Sequence, residues 1–221
     1  MIHDFINLLF PRTCLITKQP LAKREQYIST EARLSLPVLN YLNFNVTPLV
    51  HASWYLDEAY AYMPYTKGSD VGVILHAIKY RNAPELATML SRWFIHEWKL
   101  LSSLDVDYVV PVPLHSKRLK TRGYNQSAYI AGELAKAAEA PLAESLMRRK
   151  RNTNTQTKKE KGERIRNVEC AFELTQPVEG KHILLVDDVI TTGATMSACA
   201  EELVKANAAS VKAVALAFAL Q

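Results

Sequence analysis

Residues 182–197, HILLVDDVITTGATMS, constrain the fold more than any other stretch of the chain. An apolar run from Ile183 to Val186 ends in two adjacent aspartates, and small or hydroxylic residues dominate from Thr191 to Thr195, before Met196. A short, continuous apolar run suits a strand covered on both faces. Such a strand needs helices packed on both sides, so the remaining sequence must alternate strands with helices.

It does. VDYVVPVPL (106–114) and SVKAVALAFAL (210–220) read as two more buried strands. SDVGVILHAIKY (69–80) opens with a Ser/Asp start and repeats Val71, Ile74, Leu75 and Ile78 on one helix face. NAPELATMLSRWFIHEWKLL (82–101) places Pro84 in a first turn and continues as an amphipathic helix. NQSAYIAGELAKAAEA (125–140) and GATMSACAEELVKAN (193–207) are helical by propensity and pattern. The expected fold is α/β, a parallel sheet flanked by helices over residues 61–221. Residues 1–60, broken by Pro11, Pro20, Pro37 and Pro48, carry no sustained period and are expected to form a small irregular N-terminal module.

In such folds ligands bind beyond the carboxyl ends of the strands, where loops enter helix N-termini. Asp187 and Asp188 fall at that edge. Outward amides at the positive end of a helix dipole, with the hydroxyls of Thr191, Thr192 and Thr195, form an anion site. Gly193 permits close backbone approach. The two carboxylates suit vicinal hydroxyls, a metal ion, or both. A phosphate beside a diol describes a ribose 5-phosphate. No GxxxxGK[ST] occurs, which excludes a Walker A loop.

Charge narrows the ligand further. Residues 147–167 hold nine lysines and arginines against Glu160 and Glu163, more net positive charge than the +5 of the whole chain. The rest is therefore slightly acidic, and the basic segment points to a polyanion. It shows no apolar period and reads as an exposed, mobile loop. Three scattered cysteines, Cys14, Cys170 and Cys199, argue against a disulfide framework. No apolar stretch reaches transmembrane length and no signal peptide is visible, so no membrane insertion and a cytoplasmic location are expected.

On these residues LLVDDVITTGATM resembles the phosphoribosyl diphosphate (PRPP) signature of the type I phosphoribosyltransferases. HAIKY (76–80), PVPLHSKRLKTRGYNQ (111–126) and RNTNTQTKKEKGERIRNVECAF (151–172) are similar to the ComF/GntX branch, the competence-associated members, and extend the resemblance over roughly residues 70–221. The resemblance implies that Asp187 and Asp188, the candidate catalytic pair, hold the ribose 2- and 3-hydroxyls. Thr191, Thr192, Gly193, Ala194 and Thr195 would cradle the 5-phosphate. It assigns pyrophosphate to the loop Leu114, His115, Ser116, Lys117 and Arg118, and makes Arg148, Arg149, Lys150 and Arg151 part of a flexible loop closing over PRPP. Mg²⁺ would accompany PRPP, with Asp187 and Asp188 the only protein groups expected near the ion. Lys79 and Tyr80 belong to the family pattern without an evident physical role. Arg122 and Asn125 suit either ligand contact or, for Asn125, an N-cap.

The family's small zinc module is not kept. Cys14 stands where a first ligand belongs, but Thr17 replaces its partner and KREQYISTEARLSLP (23–37) supplies no second pair, so no zinc is expected. The implied activity is transfer of ribose 5-phosphate from PRPP to a nitrogen acceptor that the sequence does not identify. Single-stranded DNA and the DNA-uptake machinery are partners the family implies, and a non-catalytic DNA-binding or PRPP-sensing protein remains the alternative. Against DNA stands the absence of Phe, Tyr or Trp between 148 and 166.

Overall fold

The computed structural model describes residues 11–39, 44–50, 54–98, 104–150 and 171–220. Four strands form a parallel sheet in the order β1 (Glu58–Tyr65), β6 (Ser210–Ala219), β5 (His182–Ile190), β2 (Tyr108–Pro111). The alternation read from the sequence is what builds it. Leu184 and Val186 of β5 face one core, with Val214 and Leu216 of β6 and Tyr60 and Tyr62 of β1. Ile183 and Leu185 face the other, with Ala59, Ala61, Ala213 and Ala215.

Helices of the described residues cover the first face. In α2 (Asp70–Tyr80) the buried residues are Val71, Ile74, Leu75, Ala77 and Ile78, one stripe at helical spacing. Ser69 caps it by accepting from the Gly72 amide. Helix α3 (Pro84–Glu97) starts on its proline. Helix α5 (Gln126–Ala137) buries Ile130, Ala131 and Leu134. The opposite face is covered by α6 (Ala194–Lys205) through Met196, Cys199, Ala200 and Leu203.

The described residues among the first sixty include regular elements between the prolines. Helix α1 (Thr30–Ser35) is capped by Ser29, whose hydroxyl accepts from the Ala32 amide. Strand β1 straddles residue 60, where the sequence placed the edge of the module. Its pattern EAYAYMPY hides a strand because both faces are covered, so tyrosines and alanines alternate instead of polar and apolar residues. Cys14 is buried in the first core, and its sulfur lies 3.4 Å from the Ser29 amide and 3.5 Å from its hydroxyl. Burial pushes this thiol up, but hydrogen bonds from Thr17 and Ser29 outweigh that and bring it down to about 6. Among the described residues no group of three or more His, Cys, Asp and Glu is placed to hold a metal ion.

Two further readings are corrected. HSKRLKTR does not stay a loop: Ser116–Arg122 forms helix α4, started by His115 Nδ1 accepting from the Lys117 amide at 3.2 Å. Gly123 at φ +80° stops it, a signal masked by the run of charge. The flexible-loop assignment fails for Arg148 and Arg149. They lie in strand β3 (Met147–Arg149), antiparallel to β4 (Phe172–Leu174). Arg148 pairs with Glu173 opposite at 2.6 Å, and the Arg149 guanidinium lies 5.4 Å from the Phe172 ring centroid. The partner strand is more than twenty residues away, so no local period announces this ribbon. Arg151, Cys170 and the first ten residues lie outside the described residues.

An aromatic stack joins β1 to α3. Phe94 is fully buried, its ring 5.1 Å from Tyr62, 5.0 Å from Trp98 and 5.3 Å from Phe44. Phe94→Ala should destabilise the protein by about 3–5 kcal/mol, the range for a buried Phe truncation, read by urea unfolding.

Candidate functional site

A difference in strand length opens the site. On one side of β5, β6 stays paired through Ile190. On the other, β2 stops at Pro111, opposite Val186, and the Val112 amide makes the last bond, to the Val186 carbonyl at 2.8 Å. The two aspartates come next. They are therefore not at the strand's mouth, as the sequence suggested, but are its sixth and seventh residues of nine, beside the place where the neighbouring strand has left. A cavity of about 460 Å³ fills that space, within the range of small-molecule sites.

Asp187 is held by directed bonds. Its Oδ1 accepts from the Ser127 hydroxyl at 2.7 Å and from the Asp188 amide at 2.8 Å. Burial and the neighbouring Asp188 charge push its carboxyl up to about 7, against the hydrogen bonds and Lys79, which pull it down. Asp187 is half-buried, whereas Asp188 is buried, 3% exposed, and its Oδ2 has no hydrogen-bond partner among the described residues. The Lys79 ammonium stands 3.0 Å from that oxygen. Burial, with Asp187 next in effect, raises the Cys199 thiol well above its ordinary range.

The turn after β5 reaches α6 through Gly193, which sits at φ +82°, a left-handed conformation that side chains with a Cβ resist. Thr191, Thr192, Ala194 and Thr195 are exposed around it, and no side chain caps the helix. The Ala194 amide has only a long contact, 3.4 Å, to the Thr192 hydroxyl. The first turn of α6 thus keeps donors for an anion.

The structure sorts the residues singled out from the sequence. Thr191 and Thr195 line the cavity with both aspartates; Lys79, Tyr80 and Arg122 close one side, and Leu114, Lys117, Arg118 and Arg149 line it as well. His115, Ser116, Asn125, Arg148 and Lys150 do not line it. They border a neighbouring cavity of about 740 Å³, which shares Pro113, Leu114 and Arg149 as a common wall. His115 is an N-cap, and Asn125 is one as well, accepting from the Ser127 amide at 3.2 Å. The Asn125 side-chain amide also donates to the Val112 carbonyl at 3.1 Å, tying α5 to the end of β2.

Sequence reasoning missed Thr121, Gln126 and Ser127, which also line the cavity. Ser127 follows RGYNQ directly, and an N-terminal serine on a helix is ordinarily read as part of a cap. Gln126 is buried and accepts from the Arg122 guanidinium at 2.9 Å. The Tyr124 hydroxyl donates to the Ile78 carbonyl, and Arg122 lies 5.1 Å over the Tyr80 ring. RGYNQ and HAIKY, separate in the chain, are thus one packed unit.

A family model described as phosphoribosyl transferase domain matches residues 125–221. The chain is 32% identical over 146 residues to the DNA utilization protein YhgH of Escherichia coli O157:H7, covering 64% of each. It is 32% identical over 154 residues to the competence protein ComFC of Bacillus subtilis, covering 69% of this chain and 61% of that one. A shorter match, 34% over 92 residues and 40% of each chain, is to competence protein F of Haemophilus influenzae. The chain thus spans less than two thirds of the length of these curated relatives. Among solved structures, a hypoxanthine phosphoribosyltransferase of Staphylococcus aureus is 18% identical over 61% of this chain and 64% of that one, with a TM-score of 0.37.

The raised Asp187 carboxyl predicts a pH effect. From the unfolded carboxylate range at about 4 up to about 7, the native state keeps a proton that the unfolded chain has lost. Stability therefore falls as pH rises through that window. Asp187→Asn removes the titration while keeping an acceptor for Ser127. Its melting temperature relative to wild type should rise from pH 5 to pH 8, measured by thermal scans in matched buffers.

Proposed function

We propose that the chain is a ComF-type protein with the type I phosphoribosyltransferase fold, and that it binds PRPP and transfers ribose 5-phosphate to a nitrogen acceptor, releasing pyrophosphate. The observation that carries this is the pair Asp187–Asp188, half-buried and buried, in one cavity with Thr191 and Thr195. A vicinal diol donates to carboxylates, and a phosphate takes the amides and hydroxyls of the next turn. Both groups occur at the required ends of one ribose 5-phosphate.

The diphosphate then falls to Lys117 and Arg118 on α4, with Arg149 on β3 and Arg122 beside Tyr80. As the bond from C1 to pyrophosphate breaks, its electron pair leaves with the diphosphate and the acceptor nitrogen bonds C1, losing its proton to solvent. The side chains act by holding the donor and by stabilising leaving-group charge in a low-dielectric cleft. The carboxylate oxygens of the acid pair that Lys79 does not meet suit a hard divalent cation such as Mg²⁺. Bound with PRPP, that ion would neutralise diphosphate charge.

A second reading, single-stranded DNA binding, is favoured by the larger cavity. There Tyr124 and Tyr129, paired edge to face at 5.6 Å, share a lining with Arg148, Arg149 and Lys150. The aromatics missing from the basic segment are supplied by α5 and the turn before it. Bases stack on such rings while cations meet phosphates.

Asp187→Asn with Asp188→Asn should weaken Mg·PRPP binding by at least about tenfold, the worth of one charged hydrogen bond, measured calorimetrically; unchanged affinity overturns the PRPP assignment. Pyrophosphate release in a panel of bases, amines and nucleosides tests transfer, and no release with any of them sinks it. For DNA, reversing the charge of Arg148, Arg149 and Lys150 should abolish salt-dependent binding of an oligothymidine.

A further inference from the structure

The two aspartates of the site are held by different forces, and the difference gives Lys79 a role. Asp187 is fixed by aligned hydrogen bonds from Ser127 and from its neighbour's amide. No hydrogen bond within the described residues engages either oxygen of Asp188; its buried Oδ2 has only the Lys79 ammonium, 3.0 Å away and out of hydrogen-bonding alignment. Among the described residues Lys79 is the one cation within 4 Å of either aspartate. Two adjacent carboxylates in a low-dielectric site repel strongly, and a cation at 3 Å is the largest opposing charge available.

Lys79 is itself fixed from outside the acid pair. It lies in the last turn of α2. The carbonyl of Ile78 receives the Tyr124 hydroxyl, and the Tyr80 ring is held between His76, at 4.9 Å, and the Arg122 guanidinium. The ammonium is therefore delivered to Asp188 by a clamped helix end, its side chain only 20% exposed.

We propose that Lys79 is a positioning residue for diol recognition: by charge alone it pins one oxygen of Asp188 and offsets part of the repulsion within the pair, leaving the other oxygen for a ribose hydroxyl. This rests on the PRPP reading above. It separates Lys79 from the cations of the diphosphate side, Lys117, Arg118 and Arg149, which lie on α4 and β3. Selectivity for ribose over 2-deoxyribose then depends on a residue that never touches the sugar.

The test uses ribose 5-phosphate and 2-deoxyribose 5-phosphate, which lack pyrophosphate, so direct contact with the leaving group plays no part. The full chain is titrated calorimetrically with each. Wild type should prefer the ribose compound by about tenfold, one charged hydrogen bond. Lys79→Met should bring the ratio to near one, and Lys79→Arg should restore most of it. In an Asp188→Asn background, where the preference is already lost, Lys79→Met should change nothing further. Lys79→Gln, with melting temperatures for all variants, covers a Met variant that fails to fold. A wild-type ratio in folded Lys79→Met or Lys79→Gln protein overturns the role of Lys79 and leaves the PRPP site intact. No ribose preference in wild type itself overturns both.

Discussion

Two neighbouring carboxylates on a central strand, one buried and one half-buried, are expensive, and most of the local architecture answers that cost. Removing a charged group from water costs several kcal/mol per ion after relaxation. The chain meets it from three separate segments. Ser127 comes from the first turn of α5, Lys79 from the last turn of α2, and the Asp188 amide from β5 itself. Each supplier is in turn held by another contact: Asn125 ties α5 to the end of β2, and Tyr124 ties the turn before α5 to the end of α2. The site is therefore organised from its charges outward.

The two-sided sheet is what makes this possible. Helices α2, α3 and α5 share one core and α6 the other, so loops at the carboxyl ends of the strands converge from both faces. The early stop of β2 then provides space that a sheet of equal strands would fill with backbone. Pro111 ends the strand while Val112 still bonds Val186, so the cleft begins one residue beyond the last shared hydrogen bond.

Much of this was legible in the sequence, and the limits have physical reasons. Helical stripes such as Val71, Ile74, Leu75 and Ile78 are written in a local period, and so were found. The continuous run Ile183–Val186 announced a strand covered on both faces and therefore a parallel sheet. The ribbon of β3 and β4 was not legible, because pairing between Arg148 and Glu173 is a relation across an intervening segment. Helix α4 was hidden by its own charge, which resembles a solvated loop until Gly123 is read as a stop. In the site, the sequence named the acid pair and the threonine turn but gave Lys79 no task. Its partner is more than a hundred residues away, and an ion pair leaves no trace in local spacing. Ser127 was missed for the converse reason, since a helix-start serine already has an ordinary explanation.

The place of β1 has a consequence for how the molecule comes to be made. Its register partner β6 lies about 150 residues later, and Asp57 closes the junction by accepting from the Val211 amide at 2.7 Å, a separation of 154 residues. Strand β5, which carries the acid pair, likewise has β6 as its long-side neighbour. Closing loops of that length makes β-pairing slow, and incompletely paired strands are prone to aggregation. During synthesis the α2–α3 hairpin can form early from nearby contacts. The sheet, and with it the strand that carries both aspartates, waits until residues 210–219 have emerged, so the binding site is among the last parts of this chain to exist.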